Sequence, residues 1–145
     1  MAVIVFPTDF SDVSVNALPW AIKMAGSANA KIHCVYVVEE PQIYSTLDMG
    51  AVAIPTTGEL VESAEKRMQA FVSKHLTNTP FGSESKVLVG RPSTEIVDYA
   101  KAKHAEMIVM TTHGYRGVKH VLLGSTAEDV LRHAHCPVLT VRAST

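Results

Sequence analysis

Residues 107–142 read MIVMTTHGYRGVKHVLLGSTAEDVLRHAHCPVLTVR, and the order of their apolar and polar segments predicts a strand, a helix and a second strand. Met107–Thr111 is apolar without alternation, which is typical of a strand covered by helices on both faces. A helix is predicted to start at Ser125, with Glu128 three residues on completing a capping box. Its inward positions are Val130, Leu131 and Ala134. Pro137–Arg142, the second apolar run, completes a parallel β-α-β unit.

The same alternation extends over the whole chain. Three earlier apolar runs alternate with helical segments, namely Val3–Phe6, Lys31–Val38 and Ser85–Val89. Successive β-α-β units have right-handed crossovers and build a doubly wound sheet. We therefore expect one α/β domain over residues 1–145, a Rossmann-like or flavodoxin-like three-layer sandwich. Its five parallel strands are expected in the order 3-2-1-4-5, with helices on both faces.

The first helix is predicted to be capped by Ser11 or Ser14 and to run to about Ala25. Pro19 lies inside this segment and would remove a backbone hydrogen bond, so we expect a kink or a short first turn there. The predicted inward residues are Ala17, Leu18, Ala21 and Ile22.

The next two helices also have recognisable starts. The second begins at Thr56 or Thr57, and the spacing from Thr56 to Glu59 fits a capping box. Pro92 suits the first position of the third. The predicted inward residues are Leu60, Ala64, Met68, Phe71, Val72 and Leu76 in the second helix and Ile96, Val97 and Ala100 in the third. The long link Glu39–Pro55 is expected to be a functional lid or a disordered segment.

Composition favours a soluble cytoplasmic protein without a nucleic-acid or membrane partner. The 145 residues carry a net charge of -1, which argues against the strongly basic face of a dedicated nucleic-acid binder. The amino-terminal residues lack the pattern of a signal peptide, and no apolar run is long enough for a membrane span. Cys34 and Cys136 are too few for a disulfide scaffold, which fits a reducing compartment.

Two predicted loops lie at the carboxyl ends of strands, where ligands bind in open parallel sheets. The first follows strand one and reads Pro7-Thr8-Asp9. A carboxylate at that strand end suits hydrogen bonds to ribose hydroxyls or to an adenine amine. Aspartate is also common at helix starts, so capping of the first helix is the alternative role of Asp9.

The second loop follows strand four and is bounded by Gly114 and Gly124. A glycine lets backbone approach a phosphate without an intervening Cβ. Gly124 leads into a helix whose first N–H groups and dipole favour an anion, and the hydroxyls of Ser125 and Thr126 add donors. Positive charge in the loop comes from Arg116, Lys119 and His120. The pattern predicts a phosphate-binding loop.

Together these motifs resemble the universal stress protein family. Its ATP-binding members carry G-x2-G-x9-G-[ST], and Gly114, the nine-residue spacing, Gly124 and Ser125 match that pattern. Further matches are the opening Pro7–Ser11, the stretch Gly90-Arg91-Pro92 and the ending Cys136–Arg142. The resemblance covers essentially the whole chain, and the combination of motifs is specific.

The resemblance implies where ATP or another adenine nucleotide would bind, with any Mg²⁺ carried by its phosphates. Asp9 corresponds to the residue that contacts the nucleoside in ATP-binding relatives. Val37 corresponds to a backbone contact late in strand two, and Met110 to the residue before the first motif glycine. The glycine-serine loop holds the phosphates in those relatives. The predicted nucleotide-binding residues are Pro7, Thr8, Asp9, Val37, Met110, Thr111, His113, Gly114, Arg116, Gly124, Ser125 and Thr126.

The resemblance also implies a regulatory stress-response protein that forms a homodimer and acts on an unspecified protein partner. Val138–Val141 is the expected dimer contact, because this last strand would otherwise be an exposed apolar edge.

Thr111 departs from the family pattern, because it occupies the position of the first motif glycine. If that position needs a positive φ, a β-branched residue there would be an outlier. If it needs only room, the methyl group would crowd the ligand while the hydroxyl could bind it. Since the Gly114 to Gly124 spacing is retained, we expect binding. The alternatives are a dimeric interaction module without nucleotide binding and a slow ATPase.

Other chemistries lack the residues that they need. The His133-x-His135 pair would point to different faces of a helix, so we expect no metal site. Neither a Walker A lysine motif nor G-x-G-x-x-G is present. His113 could donate to a phosphate or anchor its loop, but the sequence offers it no recognisable nucleophile or carboxylate partner. We therefore expect no catalytic residue and at most weak ATP hydrolysis.

Overall fold

The computed structural model describes residues 1–40, 54–113 and 123–142, in which strands and helices alternate. The strands are β1 (Ala2–Pro7), β2 (Ala30–Val38), β3 (Ser83–Val89), β4 (Met107–Thr111) and β5 (Val138–Val141). The helices are α1 (Asp12–Val15), α2 (Leu18–Ala28), α3 (Thr57–His75), α4 (Pro92–Ala102) and α5 (Ser125–His133). The bounds of β4 coincide with the predicted run, and the other strands differ from theirs by at most two residues at an end.

The strands form one parallel sheet in the order β3-β2-β1-β4-β5, which confirms the predicted fold. Ala2 lies opposite Ala30 of β2, and Ile4 lies opposite Met107 of β4. The chain moves outward from β1 to β3 and then returns to the other side of β1 as β4. Strand order therefore reverses between β1 and β4, where a crevice opens at the carboxyl ends.

Helices cover both faces of the sheet. Ile4 and Phe6 of β1 belong to a core under α2 and α3, whereas Val3 and Val5 belong to a core under α4 and α5. The alternation follows from the pleat, which points successive side chains to opposite faces. Both faces of β1 are buried, so the strand has to be apolar throughout.

The first predicted helix is in fact two helices. Ser11, not Ser14, is the N-cap of α1, and its side-chain oxygen accepts a hydrogen bond from the Ser14 N–H. The helix ends at its C-cap Asn16, and Pro19 lies in the first turn of α2. Proline is tolerated there because first-turn N–H groups have no intrahelical partner. The short first turn is thus confirmed, and the continuous helix to Ala25 was wrong.

The starts of α3 and α4 agree with the predictions. Thr56 caps α3 by accepting a hydrogen bond from the Glu59 N–H at 3.1 Å, and Pro92 is the first residue of α4. Leu60 and Val72 are half-buried, and the other residues predicted to face inward on these helices are buried.

The start of α5 differs from the prediction. Gly124 is the N-cap and Ser125 the first helical residue, so the predicted capping box was wrong. The Gly124 N–H donates to the Thr112 carbonyl at 2.7 Å, and the Gly124 carbonyl accepts from the Glu128 N–H at 3.0 Å. A tertiary hydrogen bond therefore sets where this helix begins.

The inward stripe of α5 also differs. Ala127 and Val130 are buried, Ala134 just after the helix is half-buried, and Leu131, predicted to be buried, is exposed. Successive helical residues are rotated by about 100°, which turns Leu131 away from the stripe.

Most of the predicted lid or disordered link between β2 and α3 lies outside the described residues. Within the described ranges, every helix is too short or too polar to cross a lipid bilayer.

Candidate functional site

A cleft of about 820 Å³ opens at the carboxyl ends of β1, β2 and β4. Its volume falls within the range of small-molecule sites, about 300–1,000 Å³. Residues of α3 line it from one face of the sheet, and residues of α4 and α5 line it from the other. The structure brings ten of the predicted site residues to this cleft: Pro7, Thr8, Asp9, Val37, Met110, Thr111, His113, Gly124, Ser125 and Thr126. Gly114 and Arg116 lie outside the described residues.

Hydroxyl and carboxylate groups hold the turn between β1 and α1. The buried Thr8 hydroxyl shares a hydrogen bond of 2.8 Å with the Ser14 hydroxyl and accepts one of 2.9 Å from the Phe10 N–H. Asp9 Oδ1 accepts hydrogen bonds from the Ser11 N–H at 3.0 Å and from the Ser11 hydroxyl. Ser11 is thus the helix cap, and Asp9 supports that cap while lining the cleft.

Val37 presents backbone to the cleft. The Thr8 N–H donates to the Val35 carbonyl at 2.9 Å, just beyond the end of β1 at Pro7. Alternation along a strand directs the N–H and C=O of Val37 to the same side as those of Val35. Because β1 has ended at that level, this donor and acceptor face the space above it, where Val37 lines the cleft.

Gly124 lies close to the backbone that follows β4. A Cβ at this position would stand 3.3 Å from the Thr112 carbonyl oxygen and 3.6 Å from the His113 Cα. The absence of a side chain lets Gly124 pack against the residues that follow β4. The Gly124 N–H donates to the Thr112 carbonyl, so this N–H group is not among those that a phosphate could use.

The donors of α5 are those of the next three residues. Ser125, Thr126 and Ala127 supply the first backbone N–H groups of the helix, and all three residues line the cleft. Among the described residues, none caps this helix with its side chain, in contrast to Ser11 on α1 and Thr56 on α3. Uncapped N–H groups at the positive end of a helix dipole form an anion site.

His113 adds a further polar atom to this side of the cleft. Its Nδ1 lies 3.1 Å from the Thr112 hydroxyl. If the hydroxyl donates to Nδ1, the proton of the ring is on Nε2. Within the described part of the chain, His113 Nε2 is buried and has no hydrogen-bond partner. A buried polar atom of this kind needs a hydrogen-bond partner, which a ligand group, an ion or a water molecule would supply.

Thr111 fits its position without backbone strain. It is the last residue of β4, and the non-glycine residues of positive φ in the described ranges are Phe10, Asn29 and His104. The Thr111 hydroxyl donates to the His113 carbonyl at 2.7 Å. This hydrogen bond holds the turn that follows β4. Thr111 does not have a positive φ, so it causes no backbone strain at the position of the first motif glycine.

Sequence reasoning missed the wall formed by α3. Leu60, Ser63, Ala64 and Arg67 of this helix line the cleft. A signal was present, because Leu60, Ala64 and Arg67 follow the i, i+4, i+7 spacing of an apolar stripe. The third position of this spacing is the cation Arg67, which is exposed and lines the cleft.

The features set aside earlier remain unconnected to the cleft. Burial raises the pKa of the Cys34 thiol to about 12, which keeps it protonated and unreactive. The described residues contain no group of three histidine, cysteine or acidic side chains arranged to hold a metal ion.

Comparison with known proteins places these features in a family. The model of the universal stress protein family matches residues 1–142. Universal stress protein MJ0531 of Methanocaldococcus jannaschii is 37% identical over 96% of this chain and 81% of its own length. The solved structure of protein MJ0577, from the same organism, is 28% identical and superposes with a TM-score of 0.81, covering 99% of this chain and 97% of the other.

A third comparison concerns a universal stress protein solved in complex with cAMP. It is 25% identical, with a TM-score of 0.63 over 99% of this chain and 98% of the other. With the sheet order, the cleft and the family match in agreement, the chain belongs to the universal stress protein family.

Proposed function

We propose that the protein binds ATP or a related adenine nucleotide in the cleft at the carboxyl ends of β1 and β4. The observation that carries the proposal is the convergence of two kinds of polar group in one cleft of about 820 Å³. Asp9 and the Val37 backbone lie on the β1 and β2 side, and the uncapped start of α5 lies on the β4 side. A nucleotide carries matching groups at its two ends.

The phosphates would lie at the start of α5. The N–H groups of Ser125, Thr126 and Ala127 would donate to phosphate oxygens, together with the Ser125 and Thr126 hydroxyls. In this arrangement a phosphate oxygen would be the hydrogen-bond partner of His113 Nε2, which is buried and otherwise unsatisfied. Mg²⁺, when present, would be carried by the phosphates.

The nucleoside would lie at the ends of β1 and β2. The Val37 N–H and C=O match the donor and acceptor pattern on the edge of adenine, and the Asp9 carboxylate suits the ribose hydroxyls. The relative solved with cAMP supports an adenine nucleotide as the ligand class. Met110 and Ile96 supply apolar surface for the rings.

The proposed role is regulatory and is exerted by a cytoplasmic homodimer. β5 is an edge of the sheet, its residues are half-buried, and it carries no charged side chain. The opposite edge, β3, carries Glu84 and Lys86, which protect an edge against pairing. Pairing through β5 would bury its apolar residues. The proposal contains no chemical step, and nucleotide binding itself would change the affinity for a protein partner.

Equilibrium titration of nucleotide-free protein with ATP tests the proposal. We predict that Gly124→Val weakens binding at least about tenfold while circular dichroism stays unchanged, because a branched side chain would crowd the Thr112 carbonyl and displace the phosphates. Gly58→Val is the matched control, since Gly58 lies near the start of another helix and a Cβ there would meet the Thr56 Oγ1 at an ordinary contact distance of 3.9 Å.

Each contrary outcome has a defined meaning. Absence of ATP binding by the parent protein would leave the family's interaction module as the function. Equal ATP affinity in parent and Gly124→Val protein would show that the phosphates do not bind at the start of α5. Release of phosphate above the buffer rate, abolished by Gly124→Val, would show a slow ATPase.

A further inference from the structure

Three side chains form a column beside the nucleoside end of the cleft. The Phe10 ring stacks on the Tyr36 ring with a centroid distance of 4.4 Å. The Arg67 guanidinium lies over the Phe10 ring at 4.7 Å from its centroid. Tyr36 covers one face of Phe10, so Arg67 must cover the other. The column therefore runs Tyr36–Phe10–Arg67 and ends in a planar cation.

The position of Phe10 has a conformational cost, which the column offsets. Phe10 has a φ of 66°, in the left-handed region that bulky residues rarely adopt. Its N–H is held by the Thr8 hydroxyl, and its ring also meets the edge of Phe71 at 5.9 Å. These contacts fix the platform on which the Arg67 guanidinium rests.

Arg67 ends the column at the cleft. It is an exposed residue of α3 that lines the cleft, and its ring partner Phe10 immediately follows Asp9. Tyr36, at the other end of the column, immediately precedes Val37. The Arg67 guanidinium therefore lies on the α3 side of the sheet, next to the two residues assigned to the nucleoside, Asp9 and Val37.

We propose that Arg67 stacks on the base of the bound nucleotide and gives the cleft a preference for purines. This inference rests on the proposed function. A guanidinium is planar and weakly hydrated, so it stacks on aromatic rings with both faces. A base whose edge bonds to the Val37 backbone presents its face to this part of the cleft. A purine offers a larger stacking surface than a pyrimidine.

A phosphate contact by Arg67 is the rival reading, and ligands of different composition separate the two. Calorimetric titrations would use adenosine, ATP, CTP and inorganic triphosphate with parent, Arg67→Met and Arg67→Lys proteins. Arg67→Met removes charge and plane, whereas Arg67→Lys retains the charge alone. Lys66→Met is the matched control, because Lys66 is an exposed neighbour ion-paired with Glu62 at 3.7 Å and does not line the cleft.

We expect Arg67→Met to weaken adenosine and ATP by the same factor, about fivefold, since an exposed cation–π contact has about that effect. Arg67→Lys should lose a smaller part of the same affinity. The preference for ATP over CTP should decrease in both variants, with triphosphate affinity and the Lys66→Met protein unchanged.

Two results would overturn the inference alone, because in both the parent protein still binds ATP. One is an Arg67→Met protein that binds adenosine as tightly as the parent. The other is an Arg67→Met protein that loses triphosphate affinity in proportion to ATP affinity. A parent protein that binds neither adenosine nor ATP would instead overturn the proposed function, and the inference with it.

Discussion

At position 111 the chain has a threonine where the family motif has glycine, and its neighbours explain why it is tolerated. Thr111 lies opposite Val141 in the β4–β5 ladder, and its hydroxyl donates to the His113 carbonyl. The hydroxyl is thus occupied by a hydrogen bond within the turn that follows β4. We interpret Thr111 as a brace of that turn, with an indirect effect on the ligand.

Thr111→Val retains the shape of the side chain and removes this hydrogen bond. We expect the free energy of unfolding to fall by about 1 kcal/mol and ATP affinity to fall several-fold at most. Urea unfolding and calorimetry measure the two effects, and Thr111→Ser, which keeps the hydroxyl, is the control. Complete loss of ATP binding in the valine variant alone would show that the hydroxyl contacts the ligand.

Thr111→Gly tests the alternative that the protein is an interaction module without nucleotide binding. If the proposed function holds, this variant should bind ATP with an affinity close to that of the parent. Absent binding in the parent, with strong binding in the glycine variant, would show that the natural protein is an interaction module.

His33 is a second residue whose surroundings make a testable difference. Its Nδ1 lies 2.8 Å from the Tyr99 hydroxyl, and its Nε2 lies 3.2 Å from Glu84 Oε2. Burial lowers the pKa of His33 below 6.5; the Glu84 carboxylate opposes this shift, and Lys103 and Lys31 add to it. The native state therefore resists protonation at a pH where the unfolded chain accepts a proton.

The free energy of unfolding should consequently decrease as the pH falls below 6.5 toward the lower pKa of the folded state. Above 6.5 both states are neutral and His33 contributes no pH dependence. His33→Gln should reduce this decline, measured by urea unfolding between about pH 7 and pH 5. The exposed His135→Gln is the control. Identical pH profiles for parent and His33→Gln proteins would contradict the assignment.

At the scale of elements, the apolar runs predicted the strands β1, β2 and β4 well because these strands are buried on both faces. The run Met107–Thr111 coincides with β4 for that reason. The cap of α5 could not be predicted, because Gly124 is selected by a hydrogen bond to Thr112, which is distant in sequence. The break before Pro19 was expected, and it lies at Asn16, the C-cap of α1.

The edge strand β5 is the proposed contact of the homodimer, and the direction of its backbone groups allows this to be tested. The Pro137 and Val141 carbonyls accept hydrogen bonds from the Ile108 and Thr112 N–H groups, so alternation directs the Leu139 backbone to β4 and the Thr140 backbone outward. Proline at an outward position removes a donor that only a partner strand would use.

Thr140→Pro should therefore yield a folded monomer, whereas Leu139→Pro should destabilise the fold by breaking the β4–β5 ladder. Light scattering after size exclusion measures the mass, and thermal unfolding measures the stability. A Thr140→Pro protein that remains a dimer of parental stability would show that β5 is not the interface.

At the scale of the whole molecule, the sheet order brings together residues that are far apart in sequence. Asp9 and the start of α5 meet because strand order reverses between β1 and β4. Motif spacing predicted both ends of this cleft. The helical spacing of Leu60, Ala64 and Arg67 was a signal for the α3 wall. The contact of Arg67 with the Phe10 ring could not be predicted, because it depends on tertiary packing.

The proposed function places an adenine nucleotide in this cleft, and an amide-resolved NMR titration of nucleotide-free protein with ATP tests binding and position together. We predict saturable shifts concentrated at Thr8–Phe10, Val37 and Ser125–Ala127, with little change at the opposite end of the sheet around Ala30 and Gly82. Absence of shifts at millimolar ATP, or shifts confined to that opposite end, would contradict the account.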